Sequence, residues 1–413
     1  MKSTTRWYDP LPESVVMLTP EPPYPLRGGG AFRIASLLHY FSRFADIDLI
    51  YLSNSGKPAE LPPGLVRNQI VIPLPVHSRG IVARYARNAW RALRGVPPLF
   101  DRVSGLEAQL DNALRGRHYD FGIAEHFWVA GYIPQLFRHC DQVILDLHNI
   151  ESTLHSRSAA TSRGLVAMGH RRFAEDSRRL EAKFLPLCSL VLATSEHDLR
   201  EAQQLAPASN IAVFPNSYPF EPRAEIEPVP NTVVFSGNFE YHPNIDGVQF
   251  LMQEIWPRIV EIQPDAQLRL VGRGSEFVRD LVQSTASVSM TGPVEDAIAE
   301  IARGTVVIAP LRTGSGTRVK ILEAWAAGRP VVATHLAAEG LDISDGNDIT
   351  LEAEPRGFAT AVCRLLANEA ERTRLARGGQ HTLSAKYTWK AAWKTLDDIP
   401  QVSRNRQLSS YTG

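Results

Sequence analysis

Ala309-Pro310-Leu311-Arg312-Thr313-Gly314-Ser315-Gly316-Thr317-Arg318-Val319-Lys320-Ile321-Leu322-Glu323-Ala324 is the stretch on which the fold turns. The run 306–309 reads as a buried strand, the Gly/Ser/Thr loop ends it, and a helix follows. Gly328 closes that helix ahead of another apolar run, 330–333. Strand, loop, helix and strand make the repeating unit of a parallel sheet covered by helices. The same geometry binds anions, because glycines let the backbone approach and the free N–H groups of a first helical turn point at the ligand. With Thr317 as cap, Arg318 and Lys320 fall in that turn, where the helix dipole disfavours each cation by about 0.3–1 kcal/mol. A bound diphosphate reverses the sign of the field, and charge-assisted hydrogen bonds of about 1.5–3 kcal/mol each outweigh the penalty. Glu323 suits a ribose diol, since one carboxylate accepts two hydroxyl protons. The plainer alternative is a surface helix with a Lys320–Glu323 ion pair, worth roughly 0.2–0.5 kcal/mol.

Working outward, the same alternation runs through the chain. Strands are expected at 15–18, 48–52, 121–124, 143–147, 190–193 and 211–214, then at 232–235, 267–271, 305–309 and 330–333, with helices between them. The proline- and glutamate-rich stretch 218–231 reads as a linker. At 413 residues the chain is too long for one ordinary core. Two doubly wound, Rossmann-like parallel-sheet domains are therefore expected, facing each other across a cleft: 1–222, then 223–386, with 387–413 a closing helix and tail that packs back towards the first domain. Each domain has a glycine turn after its first strand, Arg27-Gly28-Gly29-Gly30 and Ser236-Gly237-Asn238. Ligands of such sheets bind beyond the carboxyl ends of the strands.

Composition removes several classes. The 44 basic and 44 acidic residues cancel, so there is no global basic field for nucleic acid. Three cysteines without CxxC spacing argue against a zinc cluster or a disulfide framework and fit a reducing compartment. The polar start and the absence of a long apolar run lead to a cytoplasmic expectation. In the segment 81–94, Ile81, Val82, Tyr85, Ala86, Ala89, Trp90 and Leu93 form one helical stripe, opposite Arg84, Arg87, Arg91 and Arg94. The expected arrangement is a core-packed stripe with a solvated arginine face. The alternative is peripheral contact with the inner face of a membrane or an anionic acceptor.

Other constellations say less. Gly272-Arg273-Gly274 lacks the third glycine of a dinucleotide fingerprint, because Phe277 stands there. His126, His148 and His197 lack metal-ligand spacing and read as satisfied loop or core histidines. Ser195 with Asp198 reads as a capping box, and Asn244 as a helix cap.

The run 314–334, with Ala338-Glu339-Gly340-Leu341, closely resembles the family-4 retaining glycosyltransferases of the GT-B fold. So do, in the family's order, the glycine loop at Gly28, Leu145-Asp146-Leu147-His148-Asn149 with Glu151, Pro215-Asn216-Ser217, Phe235-Ser236-Gly237-Asn238 with His242-Pro243-Asn244, Leu270-Val271-Gly272-Arg273-Gly274, and Thr291-Gly292-Pro293-Val294. The resemblance implies a hexosyl transfer from a nucleotide-diphosphate sugar, with retention and no obligatory metal or other cofactor, onto an acceptor such as a glycan, a lipid-linked sugar or a small molecule, as in polysaccharide biosynthesis. It implies Glu323 on the ribose, Arg318 and Lys320 on the diphosphate, Thr291 and Val294 beside the base, and Gly28 and Gly29 near the phosphates and reacting sugar. Gly237, Asn238, Arg273, Gly314, Ser315, Gly316 and Thr317 complete the donor-binding set. Glu125 and His126 stand where the family places a histidine near the donor sugar, and which of the two faces it stays open. Two positions depart from the family: Ser315 replaces a glutamate near the donor sugar, and Asn238 replaces an arginine, which shifts phosphate charge onto Arg318 and Lys320, with Arg273 or Arg312 as helpers. An epimerase on the same architecture and a non-catalytic nucleotide-sugar-binding protein are the alternatives.

Overall fold

The structure is a computed structural model, and it describes residues 13–26, 28–75, 81–219, 226–314 and 319–403. Two compact units emerge from the packing: Met1–Pro215 with Ala392–Gly413, and Asn216–Ala391.

The first unit is built on a seven-stranded, all-parallel sheet. Its strands are β1 (Ser14–Thr19), β2 (Asp46–Ser53), β3 (Asn68–Pro73), β4 (Tyr119–Glu125), β5 (Cys140–Asp146), β6 (Leu190–Ala193) and β7 (Ile211–Val213), in the order β3-β2-β1-β4-β5-β6-β7. β1 and β4 are buried almost throughout, as strands covered on both faces must be. The chain winds one way from β1 to β3 and the other way from β4 to β7, so the topological switch falls between β1 and β4. Residues from Ala392 onward join this unit: Trp393 Nε1 donates to the Ser36 carbonyl and hydroxyl oxygens, and Leu396 and Ile399 enter the same core as Ile34 and Leu38.

The second unit has six parallel strands: β8 (Thr232–Ser236), β9 (Gln267–Val271), β10 (Val288–Met290), β11 (Val306–Ala309), β12 (Val331–Ala333) and β13 (Thr350–Leu351). Their order is β10-β9-β8-β11-β12-β13, so the switch lies between β8 and β11. The helix Val319–Ala326 follows β11 and buries Ile321, Leu322, Ala324 and Trp325. The expected linker at 218–231 is anchored at its start, where Tyr218 exchanges backbone hydrogen bonds with Tyr387 and Trp389. Its middle lies outside the described residues.

One expectation fails for Arg91, Trp90 and Leu93, while Arg94 is exposed as expected and the side chains of 81–85 lie outside the described ones. In the helix Ile81–Arg94, Arg91 turns inward, 9% exposed, with Nε on Asp101 Oδ2 at 2.8 Å. Trp90 and Leu93 face outward at 61% and 80% exposure. The reason is the half-buried carboxylate of Asp101, which Arg91 and Arg94 share. Among the described residues, no helix is long and apolar enough to cross a membrane.

Candidate functional site

The first unit gathers its polar groups at the carboxyl ends of β1, β4 and β5. After β1, Thr19 Oγ1 donates to the Glu21 carbonyl, and the chain reaches Gly28, whose φ of 87° suits glycine. Gly29 and Gly30 open the helix Gly29–Phe41. A Cβ on Gly30 would stand 3.0 Å from Glu21 Oε1 and 3.7 Å from His148 Nδ1, so the helix start is pressed against both side chains.

One turn on, Arg33 is 1% exposed and forks onto both oxygens of Asp146, at 2.6 and 2.5 Å, with its remaining terminal nitrogen on the Phe214 carbonyl at 2.7 Å. Register places Glu125, the last residue of β4, opposite Asp146, the last of β5. Two carboxylates with one guanidinium cannot both ionise cheaply in a buried site. Burial pushes Glu125 up to about 7, its hydrogen bond with Asp146 and the Arg33 charge pulling back. Asp146, also raised by burial, is the one gripped by Arg33, so it carries the negative charge and Glu125 the proton.

His148 Nε2 lies 3.1 Å from Glu125 Oε2 and 3.5 Å from Asp146 Oδ2. Burial lowers this imidazole to about 4, leaving it neutral at physiological pH. His126 follows Glu125 at a φ of 72°, with its ring 3.6 Å from that of Trp128 and 4.6 Å from that of His148, centroid to centroid. Its Nδ1 and Glu125 Oε1 are buried without a partner, and such orphaned groups mark functional sites more often than ordinary cores. Glu125, Asp146 and His148 lie close enough to hold a metal ion. However, Asp146 already has both oxygens on Arg33, which makes the group an ion-pair cluster in which a cation would compete with a guanidinium. Beside it opens a cavity of about 380 Å³, bordered by Glu21, Ser53, Ser55, Arg102 and Trp128.

Linkage gives a direct test of Glu125. Its folded value lies above the unfolded one, so its contribution to stability is complete below the unfolded value and is lost as pH rises towards 7. Glu125→Gln cannot ionise. It is expected to melt higher than the parent at pH about 8, with the gap closing below pH about 5, in melting curves taken across that range.

The second unit places Lys320 in the first turn of the helix Val319–Ala326, beside the end of β8. Its Nζ donates to Asn244 Oδ1 at 2.7 Å and to the Ser236 carbonyl at 3.1 Å, and lies 4.4 Å from the centre of the Phe235 ring. Asn244 in turn donates to the Asn238 carbonyl at 2.7 Å, so it braces the turn after β8 and does not cap its own helix. A Cβ on Gly237 would meet Asn244 Nδ2 at 2.9 Å and Lys320 Nζ at 3.3 Å. Gly272, at a φ of 137°, is pressed on the Gly237 carbonyl, where any Cβ would stand 2.0 Å away. Thr291 Oγ1 accepts from Gly272 N and donates to the Gly292 carbonyl.

Glu323 lies along the same helix, half-buried. Burial pushes it up to about 7, against the pull of Lys320. Val294 packs at the edge of this unit's core, and Arg273 is exposed. Gly314, at a φ of 116°, ends the described part of the loop after β11. Ser315, Gly316, Thr317 and Arg318 lie outside the described residues. Arg312, expected as a helper for the phosphate charge, has its guanidinium forked onto Asp246 at 3.2 and 2.7 Å and lying over Phe250.

Of the expected set, Lys320, Gly237 and Asn238 lie together in the second unit, braced by Asn244, and Glu125 and His126 lie at the end of β4 in the first. His148 was missed as a member of that second group. Its signal was its place just past β5, one strand over from Glu125.

Comparison with known proteins bears on both halves. Residues 230–368 match the family model described as Glycosyl transferases group 1. The phosphatidyl-myo-inositol mannosyltransferase of Mycobacterium leprae is 30% identical over 152 residues, which are 35% of this chain and 39% of that protein. The chain therefore aligns with about two-fifths of that relative's length. Among solved structures, sucrose-phosphate synthase from Thermosynechococcus elongatus superposes with a TM-score of 0.70 at 18% identity, over 92% of this chain and 96% of that one. Anabaena HepE in complex with UDP and glucose gives 0.61 at 14% identity, over 94% and 100%. The fold is GT-B, with its two Rossmann-like sheets.

Proposed function

We propose that this chain is a glycosyltransferase that moves a hexose-type sugar from a nucleotide-diphosphate donor to an acceptor hydroxyl, with retention of anomeric configuration. The observation that carries the reading is the braced Lys320: a cation in the first turn of a helix, held by neutral oxygens and packed against the glycine turn at Gly237. In this reading the second unit holds the donor. Lys320 and Arg318 neutralise the diphosphate, Glu323 takes the ribose diol, Thr291 and Val294 border the base, and the segment 314–317 belongs to the phosphate side. The family match over 230–368, which lies within the second unit, and the UDP in the HepE neighbour's complex support a nucleotide-sugar donor.

The first unit supplies the sugar and acceptor side. Glu125 and neutral His148 form its polar pair near the Gly28 and Gly29 turn, while His126, buried and stacked on Trp128, supports them. The acceptor occupies the cavity lined by Ser53, Ser55, Arg102 and Trp128, whose size is that of a small-ligand site. In the transfer the anomeric carbon loses its bond to the diphosphate, which leaves with the electron pair. The acceptor oxygen forms the new bond and its proton passes to the leaving phosphate. Side chains supply the positive charge that a metal ion would otherwise bring, so no metal or other cofactor is required.

The test is a thermal-shift and hydrolysis screen against UDP-, GDP-, ADP- and dTDP-sugars. One nucleotide series should raise the melting temperature, and failure of every nucleotide to protect the protein would remove the proposal. Glu323→Ala should lose affinity for the protecting nucleotide, by titration calorimetry, about tenfold or more, as expected for one lost charge-assisted contact. Product analysis with donor alone separates transfer from epimerisation. Donor binding without transfer to any acceptor would indicate a binding protein instead.

A further inference from the structure

A helix that turns Arg91 inward and Trp90 and Leu93 outward has part of its apolar face committed to something other than its own core. In the helix Ile81–Arg94, Ala86, Ala89, Trp90 and Leu93 share the exposed face. Turning the helix about its axis would have hidden them. Instead Arg91 and Arg94 hold Asp101. The next residue, Gly95, lies so near the helix Gly164–Phe184 that a Cβ on it would stand 3.2 Å from Asp176 Oδ1.

That second helix begins with the same anomaly. Leu165, Val166 and Met168 are 84%, 55% and 61% exposed, while only Ala167 of this turn is buried. Single exposed apolar residues are ordinary. Two touching helices that both present large apolar side chains to solvent mark an interaction surface.

The charges around the surface choose its occupant. No Asp or Glu occurs in 81–94 or in 163–172, whereas Arg84, Arg87, Arg91 and Arg94 lie in the first segment and Arg163, Arg171 and Arg172 in the second, in a chain whose net charge is zero. Arg94, Arg163 and Arg171 are exposed at its rim. A second copy would set arginine against arginine. A bilayer with anionic headgroups offers acyl chains to the apolar side chains, phosphate to the arginines, and the interfacial zone that tryptophan prefers.

We infer that Trp90 and Leu93, together with Leu165, Val166 and Met168, dock the first unit on an anionic lipid surface. Leu99 and Arg102 of the neighbouring helix Pro98–Arg102 also border the cavity assigned above to the acceptor. Resting on that transferase reading, docking adds the acceptor's class: a lipid-linked molecule presented at the membrane.

The experiment is co-sedimentation of the full chain with vesicles of phosphatidylcholine, alone or mixed with phosphatidylglycerol. Binding should favour the anionic vesicles and weaken with salt. The W90S/L93S and L165S/M168S variants should each bind at least about tenfold more weakly, since each withdraws two large apolar side chains from the bilayer. Their exposure keeps the fold intact, which circular dichroism checks. The inference is overturned if neither vesicle binds, if the variants bind as the parent does, or if light scattering without lipid shows a dimer that the same substitutions split. Vesicle binding needs no turnover, so a negative result here leaves nucleotide protection, and with it the transferase reading, standing.

Discussion

Lys320→Ala is expected to keep the fold and lower turnover by about a hundredfold or more. Removing one preorganised donor from a site where negative charge builds in the transition state typically costs about 2.7–4 kcal/mol of barrier. The geometry meets the condition of preorganisation. Asn244 Oδ1 and the Ser236 carbonyl fix the ammonium at 2.7 and 3.1 Å, and the Phe235 ring lies beneath it, so little reorganisation is left for the moment of transfer. Structural damage should be small, because Lys320 is only half-buried and water can take the place of its ammonium on the two neutral acceptors, which would cost about 1–3 kcal/mol each only if they stayed dry. Lys320→Arg should not restore full activity, since a planar fork cannot occupy the space of a point charge between those two oxygens. The measurements are turnover with the protecting donor and the melting temperature of each variant. Wild-type turnover in Lys320→Ala would take the diphosphate away from this side chain.

Lys320 was legible in the sequence because a cation in a first helical turn contradicts the helix dipole, and such a contradiction calls for a partner. Its neutral braces were not. Asn244 looked like a cap from its place behind Pro243, and only the three-dimensional path of the turn after β8 brings it to Asn238 and Lys320. The central strands could be read because β1, β4, β8 and β11 are buried along nearly their whole length. The edge strands β3, β10 and β13 were missed because partial exposure breaks up the apolar run by which strands are recognised. For the helix Ile81–Arg94, periodicity gave two faces but could not say which one turns inward. Asp101 decided that, and nothing in the spacing of the helix encodes an aspartate beyond its end. Arg312 shows the same limit: proximity to the loop in sequence pointed to phosphate, while Asp246 on another helix had already taken the guanidinium. His148 is a satisfied histidine, as read, but its partner could not be named without register, since pairing Glu125 with Asp146 is what brings His148 over the end of β4.

Arg33→Met is expected to destabilise the first unit by about 3–5 kcal/mol, the usual cost of removing one partner from a buried ion pair. For a unit of this size that is a fall of about 6–20 °C in melting temperature. Arg33 has three nitrogens on Asp146 and the Phe214 carbonyl and lies over the Phe214 ring. Without it Asp146 would stand as a buried anion against Glu125, and its only relief would be to take up a proton. A carboxyl whose folded value rises binds its proton more tightly in the folded chain, so the variant's deficit should be largest at pH about 8 and shrink towards pH about 5. The double variant Arg33→Met with Asp146→Leu removes the stranded charge along with its partner and should regain most of the lost stability, because well-packed apolar replacements of a buried pair are often neutral or better. Melting curves of the two variants across that pH range separate a real ion pair from simple loss of packing. If packing alone were at stake, the double variant would melt no higher than the single one and pH would leave the gap unchanged. Recovery by the double variant should not bring back transfer activity, since leucine removes the carboxylate that lies 3.5 Å from His148 Nε2 beside Glu125.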